Sequence, residues 1–229
     1  MEQYYPVLNR CALFRGIEEH NYSHLLGCLN VVIKHFEEGE YLFFAGDEIS
    51  HVRIVLSGRI EILKENLAGN KHIIAILDSA QLFAEGIVCT ASRQSPVTAQ
   101  AMEETKVMMI PYEKIIRSCG MSCTYHFGLI QNMMMVLGEK NVNLNWKLEL
   151  LTLKGMREKL ASYLIKTSLE NGSNTFQIPL NRSELADFLN VSRTSMCREL
   201  SRMKEDGLID LYSRSFKILD KEGLAYCLE

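Results

Sequence analysis

Between Phe127 and Leu151 the chain carries an apolar heptad that constrains how everything around it can be arranged. Phe127, Ile130, Met134, Leu137, Asn141, Leu144, Leu148 and Leu151 follow one another at alternating steps of three and four residues. That spacing keeps one apolar seam facing a partner helix. With Phe127 at position a, Asn141 also falls at a, where a buried amide finds its best partner in the same Asn of a parallel, in-register copy. The seam therefore predicts a long helix and a parallel homodimer. An amphipathic helix buried inside a single domain would show a wider stripe than a and d alone.

The length leaves room for a domain on each side of this helix. With 229 residues, 47% of them hydrophobic, the chain can fill two modest cores. No window of about 18 apolar residues occurs, and Met1 to Pro6 lacks the basic flank and apolar core of a signal segment. The expectation is a cytoplasmic protein with no membrane partner. Seven cysteines, Cys11, Cys28, Cys89, Cys119, Cys123, Cys197 and Cys227, are odd in number and scattered, which suits reduced thiols rather than a disulfide framework. Cys-x-x-Cys, a P-loop, a nucleophile elbow and a compact acid–base constellation are all missing from the sequence. No catalytic residues, no metal ligands and no cofactor are assigned, and an enzyme is not expected.

Before the heptad the hydrophobic period is that of strands. Val31 to Phe36, Tyr41 to Phe44, Val52 to Leu56, Arg59 to Lys64, Ile73 to Leu77, Val97 to Ala101 and Lys106 to Ile110 are short β-rich runs punctuated by Gly39, Gly46, Gly58 and Gly69. Strands spaced this closely predict an antiparallel barrel or jelly roll. A positive φ at Gly58 would let the chain reverse into a hairpin, and Asn66 to Asn70 reads as a second turn. Leu82 to Val97 is the least regular stretch. It gathers Glu85, Arg93, Gln94 and Ser95 on a rigid frame, where backbone N–H groups and short side chains suit a polar ligand.

After the heptad the pattern becomes helical again. Thr152 is read as the cap of a helix through Leu153, Met156, Leu160 and Leu164 that ends near Asn171-Gly172. Asn181 followed three residues later by Glu184 is a capping box. Asn190, tolerant of the left-handed conformation, breaks the chain before Ser192, the next N-cap, and Met196, Leu200 and Met203 then form a buried stripe up to Gly207. Two short helices with a tight turn form a helix-turn-helix, whose second helix presents Arg193, Thr194, Ser195 and Arg198 where a major groove is read. From Ser192 to Lys204, four basic side chains face only Glu199. Leu208 to Leu211 and Phe216 to Ile218 read as a hairpin wing with Arg214 near a phosphate, and Asp220 caps a last helix.

These stretches together resemble the CRP/FNR family of bacterial transcription regulators. The resemblance runs through Gly39-Glu40, Gly46-Asp47, Leu56-Ser57-Gly58-Arg59, Phe83-Ala84-Glu85, the heptad, Asn181-Arg182-Ser183-Glu184-Leu185-Ala186 and Val191-Ser192-Arg193. It implies an α+β chain: an effector-sensing, cyclic-nucleotide-binding-like antiparallel β-barrel (jelly roll) over residues 1–120, a dimerisation coiled coil over 121–151, and a DNA-binding winged helix-turn-helix over 152–229. The partners it implies are double-stranded DNA bearing a near-palindromic operator, a second copy of the chain, RNA polymerase and a small-molecule effector that the sequence does not identify.

Carried over residue by residue, Arg198 matches the arginine that reads bases, and Arg193 one with a mixed base and phosphate role. Thr194 stands where cyclic-AMP-responsive members have a glutamate, so the half-site need not be theirs. Those members hold the ribose with a Gly-Glu pair and the cyclic phosphate with an Arg-Ser pair. Here the positions look like Ala84-Glu85 and Gln94-Ser95. Gln94 offers no counter-charge, and a charge-assisted bond to phosphate is roughly twice as strong as a neutral one. Arg93 is expected on a strand that turns it to the other face. Asn141 lies near the family's adenine contact and is counted with Glu85, Gln94 and Ser95 as an effector residue. Cys119 and Cys123, at i and i+4, suggest a thiol-responsive regulator of the same family as the alternative. A nucleotide-binding module that does not act on DNA would leave Arg193 and Arg198 without a role.

Overall fold

The computed structural model describes residues 1–65, 71–117 and 124–228, so the turn expected at Asn66 to Asn70 and the pair Cys119 and Cys123 lie outside the described residues. The fold separates into two compact units, Met1–Lys140 and Asn141–Glu229. No helix among the described residues is long and apolar enough to cross a membrane.

The first unit opens with short helices α1 (Tyr5–Leu8) and α2 (Tyr22–Leu29). The strands are β1 (Val32–Phe36), β2 (Tyr41–Phe43), β3 (His51–Ser57), β4 (Ile60–Glu65), β5 (Lys71–Leu77), β6 (Leu82–Phe83), then, after helix α3 (Glu85–Val88), β7 (Thr98–Ala101) and β8 (Thr105–Pro111). They form two antiparallel four-stranded sheets, ordered β1-β8-β3-β6 and β2-β7-β4-β5, which is the expected jelly roll. Alternation along β7 shows why: Ala99 and Ala101 are buried while Thr98 and Gln100 are half-exposed. Tyr112–Ile116 forms α4.

Gly58 does have a positive φ, +80°, yet the expected hairpin is not there. β3 pairs with β6 and β8, whereas β4 pairs with β5 and β7, so Gly58 turns a corner between sheets. A Cβ at this corner would stand 2.4 Å from Thr105 Oγ1 and 2.6 Å from the Glu104 carbonyl oxygen. The stretch after Leu82 is also more regular than expected, since it supplies both β6 and α3.

Helix α5 (Thr124–Thr152) is the predicted long helix, and it is apolar on two sides in its first half. Leu129, Met133 and Val136 are buried in the core of the first unit, and Asn132 donates to the carbonyls of Leu13 and Arg15 at 2.9 and 2.8 Å. Of the heptad residues in the first unit, Phe127 is 64% and Met134 67% exposed, Ile130 is half-buried and Leu137 packs against that core; in the second unit Asn141, Leu144 and Leu148 are exposed and Leu151 is half-buried.

The second unit contains α6 (Met156–Asn171), β9 (Thr175–Gln177), α7 (Arg182–Leu189), α8 (Arg193–Glu205), β10 (Ile209–Tyr212), β11 (Ser215–Ile218) and α9 (Lys221–Tyr226). Thr152 is not a cap. It is the last residue of α5, its hydroxyl donating back to the Glu149 carbonyl, and Gly155 occupies the N-cap of α6. The C-terminal end of α6 at left-handed Gly172 is as expected. The sheet runs β10-β11-β9, one strand more than the predicted hairpin. Leu160, Leu164, Leu185, Ala186, Met196, Leu200, Met203 and Phe216 fill its core.

Candidate DNA interface and effector site

The turn between α7 and α8 is built by local chemistry. Asn181 Oδ1 accepts from the N–H groups of Ser183 and Glu184, and Glu184 Oε2 accepts from Asn181 N at 2.6 Å, so the capping box closes from both sides. Asn190 ends α7 at φ +52°. Ser192 then holds the N-cap position of α8, but its hydroxyl makes no capping bond, unlike the Asp220 carboxylate, which accepts from Gly223 N in α9.

Helix α8 buries Met196, Leu200 and Met203 and exposes Arg193, Thr194, Ser195 and Arg198. Its cations fall into two groups. Arg202 pairs with Glu199 at 3.4 Å and Lys204 with Asp210 at 2.7 Å, which holds the Asp210 carboxyl below its ordinary range. Arg157 of α6 reaches Glu199 at 2.6 Å and Asp206 at 2.7 Å, tying down the C-terminal half of α8. Among the described residues, no acidic side chain pairs with Arg193, Arg198 or Arg214. The positive segment expected from the sequence is thus narrower, since Glu199 and Asp210 neutralise its far end. Arg193, Thr194, Cys197, Arg198 and Ser201 line an open depression along this face. Arg214 is exposed in the two-residue turn of the wing, where Tyr212 pairs with Ser215.

In the first unit, Glu85 is almost fully buried at the start of α3, after Ala84 at φ +64°. Its Oε1 accepts from Lys140 Nζ at 2.5 Å, and Lys140 also donates to the Leu82 carbonyl at 3.3 Å; Glu85 Oε2 is buried without a partner. Ser95 is buried and donates its hydroxyl to the Val97 carbonyl at 2.6 Å, whereas Gln94 next to it is exposed. Gln94 bridges to Glu48, and Ser95 N donates to the Asp47 carbonyl at 2.9 Å. Arg93 departs from expectation. It is in no strand, with φ +52°, and what removes it from a ligand is its bond to Glu113 at 2.8 Å and its position over the Tyr112 ring. Asn141 is exposed and belongs to the second unit.

A further buried polar side chain belongs to no sequence motif. Arg53 on β3 is 7% exposed, lies 4.6 Å from the Phe43 ring centroid, and has Nη1 enclosed without a partner. Burial pushes its pKa down to about 10, with Asp47 acting the other way. The signal was there: a single arginine inside the apolar run Val52-Arg53-Ile54-Val55-Leu56.

A helix-turn-helix with a wing and unpaired arginines at the front of its second helix defines a DNA-reading protein, here joined to a jelly roll with buried polar groups. Comparison gives the family. Residues 33–120 match the cyclic nucleotide-binding domain, and residues 158–227 match the Crp-like helix-turn-helix domain. The transcriptional activator protein FnrA of Stutzerimonas stutzeri is 27% identical over 82% of this chain and 77% of its own length. The cyclic AMP receptor protein of Thermus thermophilus is 25% identical over 77% and 78%. The crystal structure of Thermus thermophilus catabolite activator protein superposes with TM-score 0.54 at 22% identity, covering 95% of this chain and 98% of that one. A CooA mutant from Carboxydothermus hydrogenoformans gives TM-score 0.59 at 20% identity, covering 89% and 90%. The chain belongs to the CRP/FNR family of DNA-binding transcription regulators, which are not enzymes.

Proposed function

We propose that the chain binds a near-palindromic operator as a parallel homodimer, through Ser192, Arg193, Thr194, Ser195, Arg198 and Arg214, under the control of an effector sensed in the jelly roll. The observation that carries this reading is the division of cations along α8: those at the front are free for DNA, those at the back are neutralised within the protein. Arg193 and Arg198 are five residues apart, hence about 140° apart in azimuth, and do different work. Arg198 reads a guanine through its fork, while Arg193 divides itself between base and phosphate. Ser192, free of capping duty, offers its hydroxyl to a phosphate.

Selection of random duplexes by wild type and Arg198→Ala tests the assignment. The variant loses about 1 to 3 kcal/mol per half-site and relaxes preference at one symmetric base pair. Identical motifs with identical information at every base pair would remove Arg198 from the groove.

The exposed seam residues Phe127, Met134, Leu144 and Leu148 of α5 support the dimer, with Asn141 paired to its twin. Sedimentation as a concentration-independent monomer would sink that part. Residues 1–120, 121–151 and 152–229 are then the sensing, dimerising and reading segments of a cytoplasmic regulator that meets RNA polymerase at the promoter. The effector residues of the jelly roll are Glu85, Gln94 and Ser95, and cyclic AMP is a poor fit because Gln94 is neutral. Millimolar cyclic AMP leaves melting unchanged, and Gln94→Arg gains measurable affinity; micromolar binding to wild type by calorimetry would overturn this.

A further inference from the structure

Arg53 is a buried charge that neither the fold nor DNA reading accounts for, and the strand register shows where it points. Phe43 and Ile62 are both register partners of Ala99, and Ile60 is the partner of Ala101, so all five share one face of the second sheet. Phe43, Ile60, Ala99 and Ala101 are buried, whereas Glu61 and Gln100 on the opposite face are half-exposed, so the shared face is the inner one. A guanidinium reaching from β3 in the first sheet to the Phe43 ring therefore lies between the two sheets.

The surroundings leave it incomplete. Nη1 has no hydrogen-bond partner, and the Asp47 carboxylate nearby is turned to its own loop, accepting from Phe44 N at 2.8 Å. His51, two residues back on the same face, has its pKa lowered by burial and then by Arg53 and Lys34, so the neighbourhood resists further positive charge. Replacing a buried ion by an apolar side chain of similar volume is often neutral or stabilising, so a lone buried arginine does not earn its place through stability. Its planar fork of N–H donors matches carboxylate and phosphate oxygens. The loop that carries Asp47 is bonded to the predicted ligand segment: Ser95 N donates to the Asp47 carbonyl, and Gly46 N donates to the Ser95 carbonyl at 2.7 Å.

We propose that Arg53 anchors an anionic effector between the two sheets, its guanidinium taking two oxygens of a carboxylate or phosphate monoester. The proposal rests on the reading that the jelly roll senses an effector, and it supplies the counter-charge that Gln94 lacks.

The test uses the full chain at constant ionic strength, with inorganic phosphate, adenosine monophosphate, acetate and benzoate as probes and adenosine as the uncharged control. Melting of the wild type rises with at least one anion, and the responding arm separates phosphate from carboxylate ligands. Arg53→Met loses at least tenfold in affinity by calorimetry while its unliganded melting temperature stays level or rises. Arg53→Lys, which keeps the charge without the fork, binds with intermediate affinity. Unliganded Arg53→Met melting well below wild type would make Arg53 a structural residue and overturn the proposal, as would no response of the wild type to any anion. Anion binding that survives Arg53→Met, or a response to adenosine alone, would overturn it too while leaving the jelly roll a sensor. Failure of the sensing reading itself shows separately, as operator affinity that no bound compound changes.

Discussion

In the first unit, Arg53 Nη1, Glu85 Oε2 and His126 Nδ1 are buried polar atoms without partners; in the second, Lys159 and Ser168 are buried just as deeply and both are bonded, to the carbonyls of Leu189 and Ser173. The second unit keeps its unpaired groups outside, on the exposed front of α8. Buried polar groups without partners cost about 1 to 3 kcal/mol each, so their distribution is informative. A reading surface must be free for an external partner while its frame stays rigid. A sensing interior can hold groups that only a ligand completes, and these lower the stability of the empty state so that binding restores it.

The largest expected effect probes the side of this comparison where a partner does exist. Glu85 is closed on one oxygen by Lys140, whose side chain is 54% exposed. Lys140→Met leaves a buried carboxylate with neither oxygen paired and should cost about 2 to 3 kcal/mol in urea unfolding, below the full value for a wholly buried pair because water reaches the lysine. Adding Glu85→Gln should recover most of that loss. A Lys140→Met variant as stable as wild type would mean that the Glu85 pocket is wetter than its burial indicates.

A smaller effect probes the finished side. Asn181→Ala opens the capping box of α7 and should cost about 1 kcal/mol in the melting of the second unit, with operator affinity reduced alike for all sequences. A selective loss at one base pair would instead make Asn181 part of the reading surface. Ser192→Ala should leave melting nearly unchanged, because its hydroxyl caps nothing, and weaken operator binding only through a phosphate.

The second unit was the more legible of the two because its determinants are local. Asn181 with Glu184, left-handed Asn190, the stripe Met196, Leu200, Met203, and Asp220 all act within one or two helical turns, and each stands where its spacing put it. The first unit depends on pairings across dozens of residues. Positive φ at Gly58 could be read from its neighbours, but the change of sheet there is decided by partners as distant as Ala101 and Met109. Strands as short as Leu82–Phe83 and Thr175–Gln177 carry no period of their own. Helix α5 shows the same limit. Its heptad was visible, while the second stripe through Leu129, Asn132 and Met133 has meaning only once Leu13 and Arg15 are beside it. Of the residues proposed for the effector, Glu85 and Ser95 are buried and Gln94 is exposed, whereas Arg53 could not be picked out because a lone arginine in a strand has no motif.

The smallest expected effect asks whether the second unit's interior is as complete as Lys159 and Ser168 make it look. Lys147 of α5 donates to the Phe188 carbonyl at the end of α7 and lies over the Phe188 ring. Burial, then the nearby Lys159, pushes its pKa down to about 8 from 10.5. Below about pH 8 both the folded and unfolded chains carry this proton, so the residue adds no pH slope. Between about 8 and 10.5 the unfolded chain holds more protons than the folded one, and stability therefore rises with pH through that window. The lysine is partly in water, so the gain is well under about 1 kcal/mol. Comparing wild type with Lys147→Met at each pH cancels the titration of other groups: the wild type should gain in relative melting temperature between pH 7.5 and 9.5, and the difference should level off above pH 10.5. A difference that stays flat with pH would mean that Lys147 keeps its proton in the folded unit, held by the Phe188 carbonyl and ring as firmly as water holds it in the unfolded chain.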